Sequence, residues 1–370
     1  MKTKKAKEGK IDFYAPLGDK YKTAVFFNPE GKLLRNISIS AIQTFQKNFK
    51  KKITICDALA GTGIRGLRYA KEITGLNKVT LVDKNPKAVS LIKRNMKLNK
   101  LSRKCKVIKD DANNVLRKEV FNIIDLDPFG SPNVFLDSAS RSIYHKGFLA
   151  VTATDQAPLC GTYPLKCLKK YGIKSMRTEF YNELGIRILL SFIILSVSRY
   201  DKAFVPLLSL SSKHYYRVFG KIEHKGKISN LIKDFGYVNY CSKCGERTIG
   251  RLEMSHKYGS KKHKFESCGL IYLGNINDKK FAKKMLKDLK KRDFSQDSTK
   301  LIQKIAEEAE ISPFYYDIHR LTKRLKKEVP KTEFLINKLR NKGFKANRTH
   351  FSPVSIKTDA KIKDLRIILR

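Results

Sequence analysis

The chain has 370 residues, and 78 Lys and Arg against 34 Asp and Glu leave a formal net charge of +44. That excess is far larger than solubility requires and calls for a polyanionic partner, while 41% hydrophobic and 10% aromatic residues exclude a disordered chain. A membrane role is not expected, because the most apolar run, Ile188 to Val197, is too short to span a bilayer and no signal-peptide core precedes Ile11 and Asp12. The expectation is therefore a soluble, cytoplasmic protein facing nucleic acid, with no obligate protein partner evident.

The first half alternates short apolar runs with helical patterns. Ile53-Thr54-Ile55-Cys56, Val79 to Val82, Lys106 to Ile108, Phe121 to Ile124 and Gly147 to Thr152 read as strands, and Pro86 opens a helix running to Leu98. Five such strands interleaved with helices predict an α/β fold, a Rossmann-like parallel sheet with helices on both faces. Polar or acidic residues follow each strand, which places the ligand site at the C-terminal edge of the sheet. Residues 179–200 predict one long buried helix, and Leu207 to Phe219 predict further strands. Near residue 222 the texture becomes Lys-rich, so residues 1–222 are expected to form the catalytic domain and 223–370 a smaller basic α+β domain. Half of the net charge falls on residues 211–370, the shorter part of the chain. Within it, 299–310, 314–327 and 331–342 read as helices and 344–360 as a strand or wing, a combination common in nucleic-acid modules. Lys323, Arg324, Lys326, Lys327, Lys331, Lys338, Arg340, Lys342, Lys345 and Arg348 crowd this stretch, where phosphate contacts are expected.

The stretch Asp57 to Gly66 carries the chemistry of a nucleotide-type cofactor. Gly61 and Gly63 allow close backbone approach to a ligand, and the next helix offers its N-terminus. The Gly-x-Gly-x-x-Gly spacing also fits a nicotinamide site, with Asp83 on the ribose. The further carboxylates Asp57, Asp110, Asp111, Asp125 and Asp127 tilt the reading away from a pyrophosphate and toward a cationic sulfonium, S-adenosylmethionine. In that reading Gly61 and Gly63 pass under the methionine part and Asp83 accepts from the ribose hydroxyls. Asp111 accepts from the adenine amino group beside the Ala112 backbone, and Arg65 holds the cofactor carboxylate.

Asp127-Pro128-Phe129-Gly130 follows the fourth strand. Methylation of an exocyclic amine needs an acceptor for its N–H, a fixed turn and a flat apolar surface for the base; these residues supply all three. The turn resembles the Asp/Asn-Pro-Pro-Tyr/Phe motif of nitrogen-directed nucleobase methyltransferases. The wider chain resembles the archaeal-type tRNA (guanine(26)-N2)-dimethyltransferases. The resemblance runs through Phe26-Phe27-Asn28-Pro29, Arg35 to Ser38, residues 57–66, Asp125 to Pro132, Thr152 to Asp155 and Leu159-Cys160-Gly161. It continues in His214-Tyr215-Tyr216-Arg217-Val218, Arg348 to Phe351 and Ile356 to Ala360. The resemblance implies that Arg35, Arg65, Asp83, Asp111 and Ala112 bind S-adenosylmethionine, that Asp127 and Phe129 hold the guanine, and that Phe27 forms a second aromatic wall. It implies transfer of one or two methyl groups to guanine N2, with tRNA as partner. Two alternatives stay open: the same chemistry on another base of rRNA or DNA, and a non-enzymatic RNA-binding protein on a vestigial cofactor fold.

Cys241-Ser242-Lys243-Cys244 has the spacing of half a zinc knuckle. Within residues 241–268, His263 and Cys268 could complete a Cys3His site for a structural zinc (Cys241, Cys244, His263, Cys268); a decayed site is the alternative.

Overall fold

The computed structural model describes residues 2–18, 22–49, 51–212, 215–258 and 261–369. His214, one of the residues in the resemblance, lies outside them. A hairpin of β1 (Thr3–Glu8) and β2 (Ile11–Pro16) precedes α1 (Lys32–Gln46). The α/β alternation follows as β3 (Ile53–Asp57), α2 (Ile64–Glu72), β4 (Leu76–Asp83), α3 (Pro86–Leu98), β5 (Cys105–Lys109), α4 (Ala112–Lys118), β6 (Phe121–Leu126), α5 (Asn133–Ser142) and β7 (Ile143–Ala153). Two short helices, α6 (Gln156–Leu159) and α7 (Pro164–Tyr171), lead to the long α8 (Tyr181–Ser198) and the hairpin β8 (Lys202–Ser212) and β9 (Tyr215–His224).

The expected parallel sheet is present, extended by an antiparallel pair at one edge: the order is β5-β4-β3-β6-β7-β9-β8, with β9 antiparallel to β7 and β8. Each strand alternates between two cores. Ile124, Leu149 and Val151 face the core that holds α8; Ile123, Phe148 and Ala150 face the core that holds α1 and α2. By length and composition α8 could cross a membrane, but 72% of it is buried, with Leu184, Ile188 and Leu189 inside the sheet's core, as expected of a core helix.

Packing in the second half is less tidy than the change in composition suggested. After α9 (Ile228–Lys233), strands β10 (Phe235–Tyr240), β11 (Arg247–Gly250) and β14 (Glu266–Tyr272) form a small sheet, and β12 (Ser255–Tyr258) pairs with β13 (Lys261–Lys264). Val238, Tyr240, Ile271 and Tyr272 share the core of α8. Helices α10 (Lys279–Leu289) and α11 (Gln296–Glu308) then return to the opposite face, where Phe281, Met285, Ile302 and Ile305 pack with α1. A separate small core is left to β15 (Tyr316–Asp317), α12 (Ile318–Leu325), α13 (Thr332–Asn341), β16 (Ala346–Arg348), β17 (Ser355–Thr358) and α14 (Ile362–Ile368). The stretch expected as one helix over 314–327 starts as a short strand, because Asp317 caps α12 by accepting from Arg320 N at 3.0 Å. Buried ion pairs fasten this last unit at α8 and just before it: Glu183, which also accepts from Arg187 within α8 at 2.8 Å, pairs with Lys357 at 3.2 Å, and Glu179 pairs with Arg324 at 2.7 Å and with Arg247 of β11. Burial alone would raise the Glu183 carboxyl, but Lys357 and Arg187 outweigh it and lower it to about 2.

Candidate active site

A cavity of about 630 Å³ opens at the C-terminal ends of β3, β4 and β6, where the chain order reverses between β3 and β6. This is the topological switch point at which open α/β sheets bind ligands. Phe27, Arg35, Asp57, Gly61, Arg65, Asp83, Asp111, Ala112, Asp127, Pro128 and Phe129 all line it.

The loop after β3 turns at Gly61 with φ +55°, a left-handed conformation that suits glycine. Asp83 stabilises the turn: one carboxylate oxygen accepts from Gly61 N at 2.8 Å and the other from Asn85 N at 2.9 Å. Asp111 caps α4, accepting from Asn113 N at 2.9 Å. Gly63 departs from expectation, since it does not line the cavity. With φ +79° it caps α2, and a Cβ there would meet Ile92 at 3.1 Å, so its smallness serves the packing of α2 on α3.

Two arginines expected to face the cofactor are already engaged. Arg35 binds both oxygens of Glu8 in the N-terminal hairpin, at 2.7 and 2.6 Å, and donates to Asn28 O at 3.2 Å. Glu8 also takes Arg68 at 2.8 Å; burial would raise its carboxyl, and the two guanidiniums hold it below the usual value. Arg65 donates to the Asp127 carboxylate and to Ser38 Oγ at 3.1 Å, with Asp125 at 3.6 Å. Arg65 lines the cavity while paired with Asp127.

Beneath Asp127 lies a buried charge cluster that the sequence had not connected. Asp125 and Asp57 sit opposite each other on β6 and β3. Arg217 on β9 grips Asp125 through two bonds of 2.7 and 2.8 Å, and Tyr69 donates to it at 2.5 Å. Burial would raise the Asp125 carboxyl, but Arg217 and Arg65 outweigh it, so it titrates below its ordinary value. Asp57 has no arginine of its own. Burial, then the charge of Asp125, push it up to about 7, against the opposing pull of Arg65 and a bond from Gly66 N at 2.9 Å.

Phe26, Phe27 and Phe129 all line the cavity, in different company. Phe129 is 65% exposed, and its ring meets Phe26 edge to face with centroids 4.2 Å apart. Phe27 turns instead against Phe13 at 5.2 Å, with the Arg35 guanidinium 5.6 Å from its ring.

The family model described as N2,N2-dimethylguanosine tRNA methyltransferase matches residues 8–370. The chain belongs to that family. It is 37% identical over 379 residues to the tRNA (guanine(26)-N(2))-dimethyltransferase of Methanosphaera stadtmanae, covering all of this chain and 97% of the relative. It is 38% identical over 356 residues to that of a Methanococcus maripaludis strain, covering 94% and 92%. Trm1 from Pyrococcus horikoshii, solved with S-adenosyl-L-methionine, superposes with a TM-score of 0.86 at 34% identity over 98% of each chain. The family match extends through the basic second half, so that half is as much part of the family's architecture as the sheet.

The cysteine segment is only partly assembled. The ligand atoms of Cys241, Cys244 and His263 lie within 4.8 Å of one another, with Cys241 Sγ 3.5 Å from His263 Nδ1. Cys268 does not join them. It lies on β14 opposite Val238, in the apolar core of α8, and burial raises its thiol far above the usual range. The strand's alternation turned it inward, away from the knuckle.

Proposed function

We infer that this protein transfers methyl groups from S-adenosylmethionine to the exocyclic N2 of the guanosine at position 26 of tRNA. The observation that carries the reading is the Asp127-Pro128-Phe129 turn lining an acid-rich cavity at the sheet's switch point, in a chain matched end to end by this family. The donor set suits a cationic nucleoside cofactor: Asp83 and Asp111 line the cavity and would accept from hydroxyl and amino groups, and Asp57 would add negative charge when ionised. Asp83, Asp111, Ala112 and Gly61 would hold the cofactor, with Asp57 and Arg35 behind it. When bound, S-adenosylmethionine supplies the methyl group and leaves as a neutral thioether.

The chain's own residues orient the amine. Asp127 accepts one N–H of the guanine amino group, which turns the nitrogen lone pair away from the purine ring and toward the methyl donor. Its pairing with Arg65 fixes its direction, so that it acts as an acceptor before transfer. Pro128 holds the turn, and Phe129 offers the stacking face. No base fits between Phe26 and Phe129 while their rings touch, so admission of the guanine goes with parting of that pair. After the N–C bond forms, the nitrogen passes its proton to the Asp127 carboxylate that accepts its N–H; a second round needs a second N–H, which the monomethylamine retains.

Asp127→Ala is expected to leave tRNA and cofactor binding within about threefold and to lower methylation by at least 10²-fold. Nucleoside mass spectrometry of treated tRNA, with binding measured in parallel, checks both; normal turnover in this variant would remove Asp127 from the role. The same spectra separate N2-methylguanosine from its dimethyl form and from methylated bases of control rRNA or DNA.

The exposed lysines of residues 223–370, among them Lys323, Lys326, Lys327, Lys331 and Lys342, are the surface we assign to the tRNA backbone. Arg324 is not among them, because it is spent on Glu179 and Tyr240. Cys241, Cys244 and His263 would hold a structural zinc ion that ties β10 to the β12–β13 hairpin. Elemental analysis is expected to find about one zinc per chain and to lose it in Cys241→Ser/Cys244→Ser. The enzyme would work in the cytoplasm, where tRNA is processed.

A further inference from the structure

A second cavity of about 690 Å³ lies beside the first. Three elements line both. In α1, Leu33 faces the second cavity while Leu34 and Arg35 face the first; after β7, Gln156 follows Thr154; in the β8–β9 hairpin, Ser212 pairs with Tyr215. The two cavities therefore share a wall.

The floor of this second cavity is closed chemistry. His350 Nε2 accepts from Ser211 N at 3.3 Å while Nδ1 is held by buried Glu308, so the imidazole is fixed on both sides. Asn182 uses both ends of its amide, donating to Phe351 O at 3.1 Å and accepting from Tyr216 at 3.2 Å. The rim is different. Lys300 and Lys304, one turn apart on α11, are exposed and make no ion pair among the described residues; the one acid lining the cavity is Asp297. Tyr181, at the start of α8, leaves 41% of its surface open beside them. A cationic pair next to an exposed aromatic ring is the chemistry that holds a phosphate and stacks a base or ribose.

We propose that this cleft is a nucleotide subsite: it seats the residue flanking the target guanosine, with its phosphate on Lys300 and Lys304 and its base against Tyr181. The subsite rests on the methyltransferase reading above and deepens it. Seating the neighbour on the far side of the shared wall holds the strand open while the guanine occupies the reaction pocket, so part of the cost of unstacking is met by contacts away from the chemistry.

The test uses the full-length enzyme and tRNA transcripts carrying 2-aminopurine on either side of the target guanosine. Wild-type enzyme is expected to change the fluorescence of one flanking 2-aminopurine, and Tyr181→Ala is expected to abolish that change. Lys300→Gln/Lys304→Gln should raise KM for tRNA about tenfold, leave kcat and cofactor affinity within twofold, and flatten the salt dependence of binding by between one and two units of log K per log salt. Lys284→Gln/Lys287→Gln, exposed lysines of α10 outside the cleft, should change KM less than threefold. The subsite is overturned by an unchanged KM in the Lys300/Lys304 variant, by an equal effect in the α10 control, or by a flanking signal that survives Tyr181→Ala. If wild-type enzyme methylates no tRNA guanosine, the functional reading fails first; if it does and these variants behave as wild type, only the subsite fails.

Discussion

Two populations of cations divide the molecule. Around the reaction pocket the buried cations are arginines matched to acids: Arg35 and Arg68 with Glu8, Arg65 with Asp127 and Asp125, Arg217 with Asp125. On α11 and in the last unit they are mostly exposed lysines, such as Lys300, Lys304, Lys326 and Lys327. The difference follows from the two side chains. A planar guanidinium offers paired donors to a carboxylate and is more weakly hydrated, so it survives burial; an ammonium is a strongly hydrated point charge suited to phosphate at the surface. The lesson concerns the net charge. The interior cancels most of its own charge, so the excess of +44 is carried by the surface, where a polyanion can reach it.

The sharpest way to break this division is to unpair its interior. Arg217→Met leaves Asp125 buried without its two-pronged partner, and is expected to cost about 3–5 kcal/mol of stability. Chemical denaturation checks it; a loss below about 1 kcal/mol would mean that Tyr69 and Arg65 suffice. Next in size is the surface. Replacing Lys323, Lys326 and Lys327 together by Gln should weaken tRNA binding by about tenfold at moderate salt with no change in melting temperature, since none of the three holds a buried acid. A melting temperature lowered along with the affinity would blur the distinction between the two populations.

The smallest expected effect is a pH dependence, and it belongs to the acid without an arginine. Asp57 titrates near 7, so it is largely neutral below that pH and charged above it. A cationic cofactor gains its attraction only when it is ionised, and affinity for S-adenosylmethionine is expected to rise a fewfold between pH 6 and 8. Stability of the free enzyme runs the opposite way. A carboxyl raised in the folded state contributes stability that is full below its ordinary value near 4 and lost as pH rises through about 7. Asp57→Asn should flatten both trends; calorimetric titration of the cofactor and thermal melts across that range measure them.

Much of the site was legible because its signals are local. Strands β3 to β7 showed as apolar runs, the acids stood at their C-terminal ends, and the acid, proline and aromatic of Asp127-Pro128-Phe129 are contiguous in the sequence. The N-terminal hairpin was not anticipated, although Ile11, Phe13 and Ala15 alternate as a strand does; Glu8, beneath Arg35 and Arg68, ties it to α1 and α2. Arg217 could have been suspected from its place among the matched residues Tyr215 to Val218, and an arginine in a strand of apolar neighbours is itself a signal of a buried acid.

By itself the sequence determined the alternation of strands and helices, the polyanion-seeking charge, the acids at the strand ends and the Asp127-Pro128-Phe129 turn. All of these depend on residues a few positions apart, where backbone periodicity and turn chemistry decide. Tertiary structure alone decided that Phe26 and not Phe27 meets Phe129, and that Arg65 serves Asp127. It also decided that Cys268 turns into the core while Cys241, Cys244 and His263 converge, and that α10 and α11 return to the sheet to bring Lys300 and Lys304 beside the pocket. Those choices are made between segments tens to hundreds of residues apart, by which faces can bury apolar surface and which buried charges find a partner.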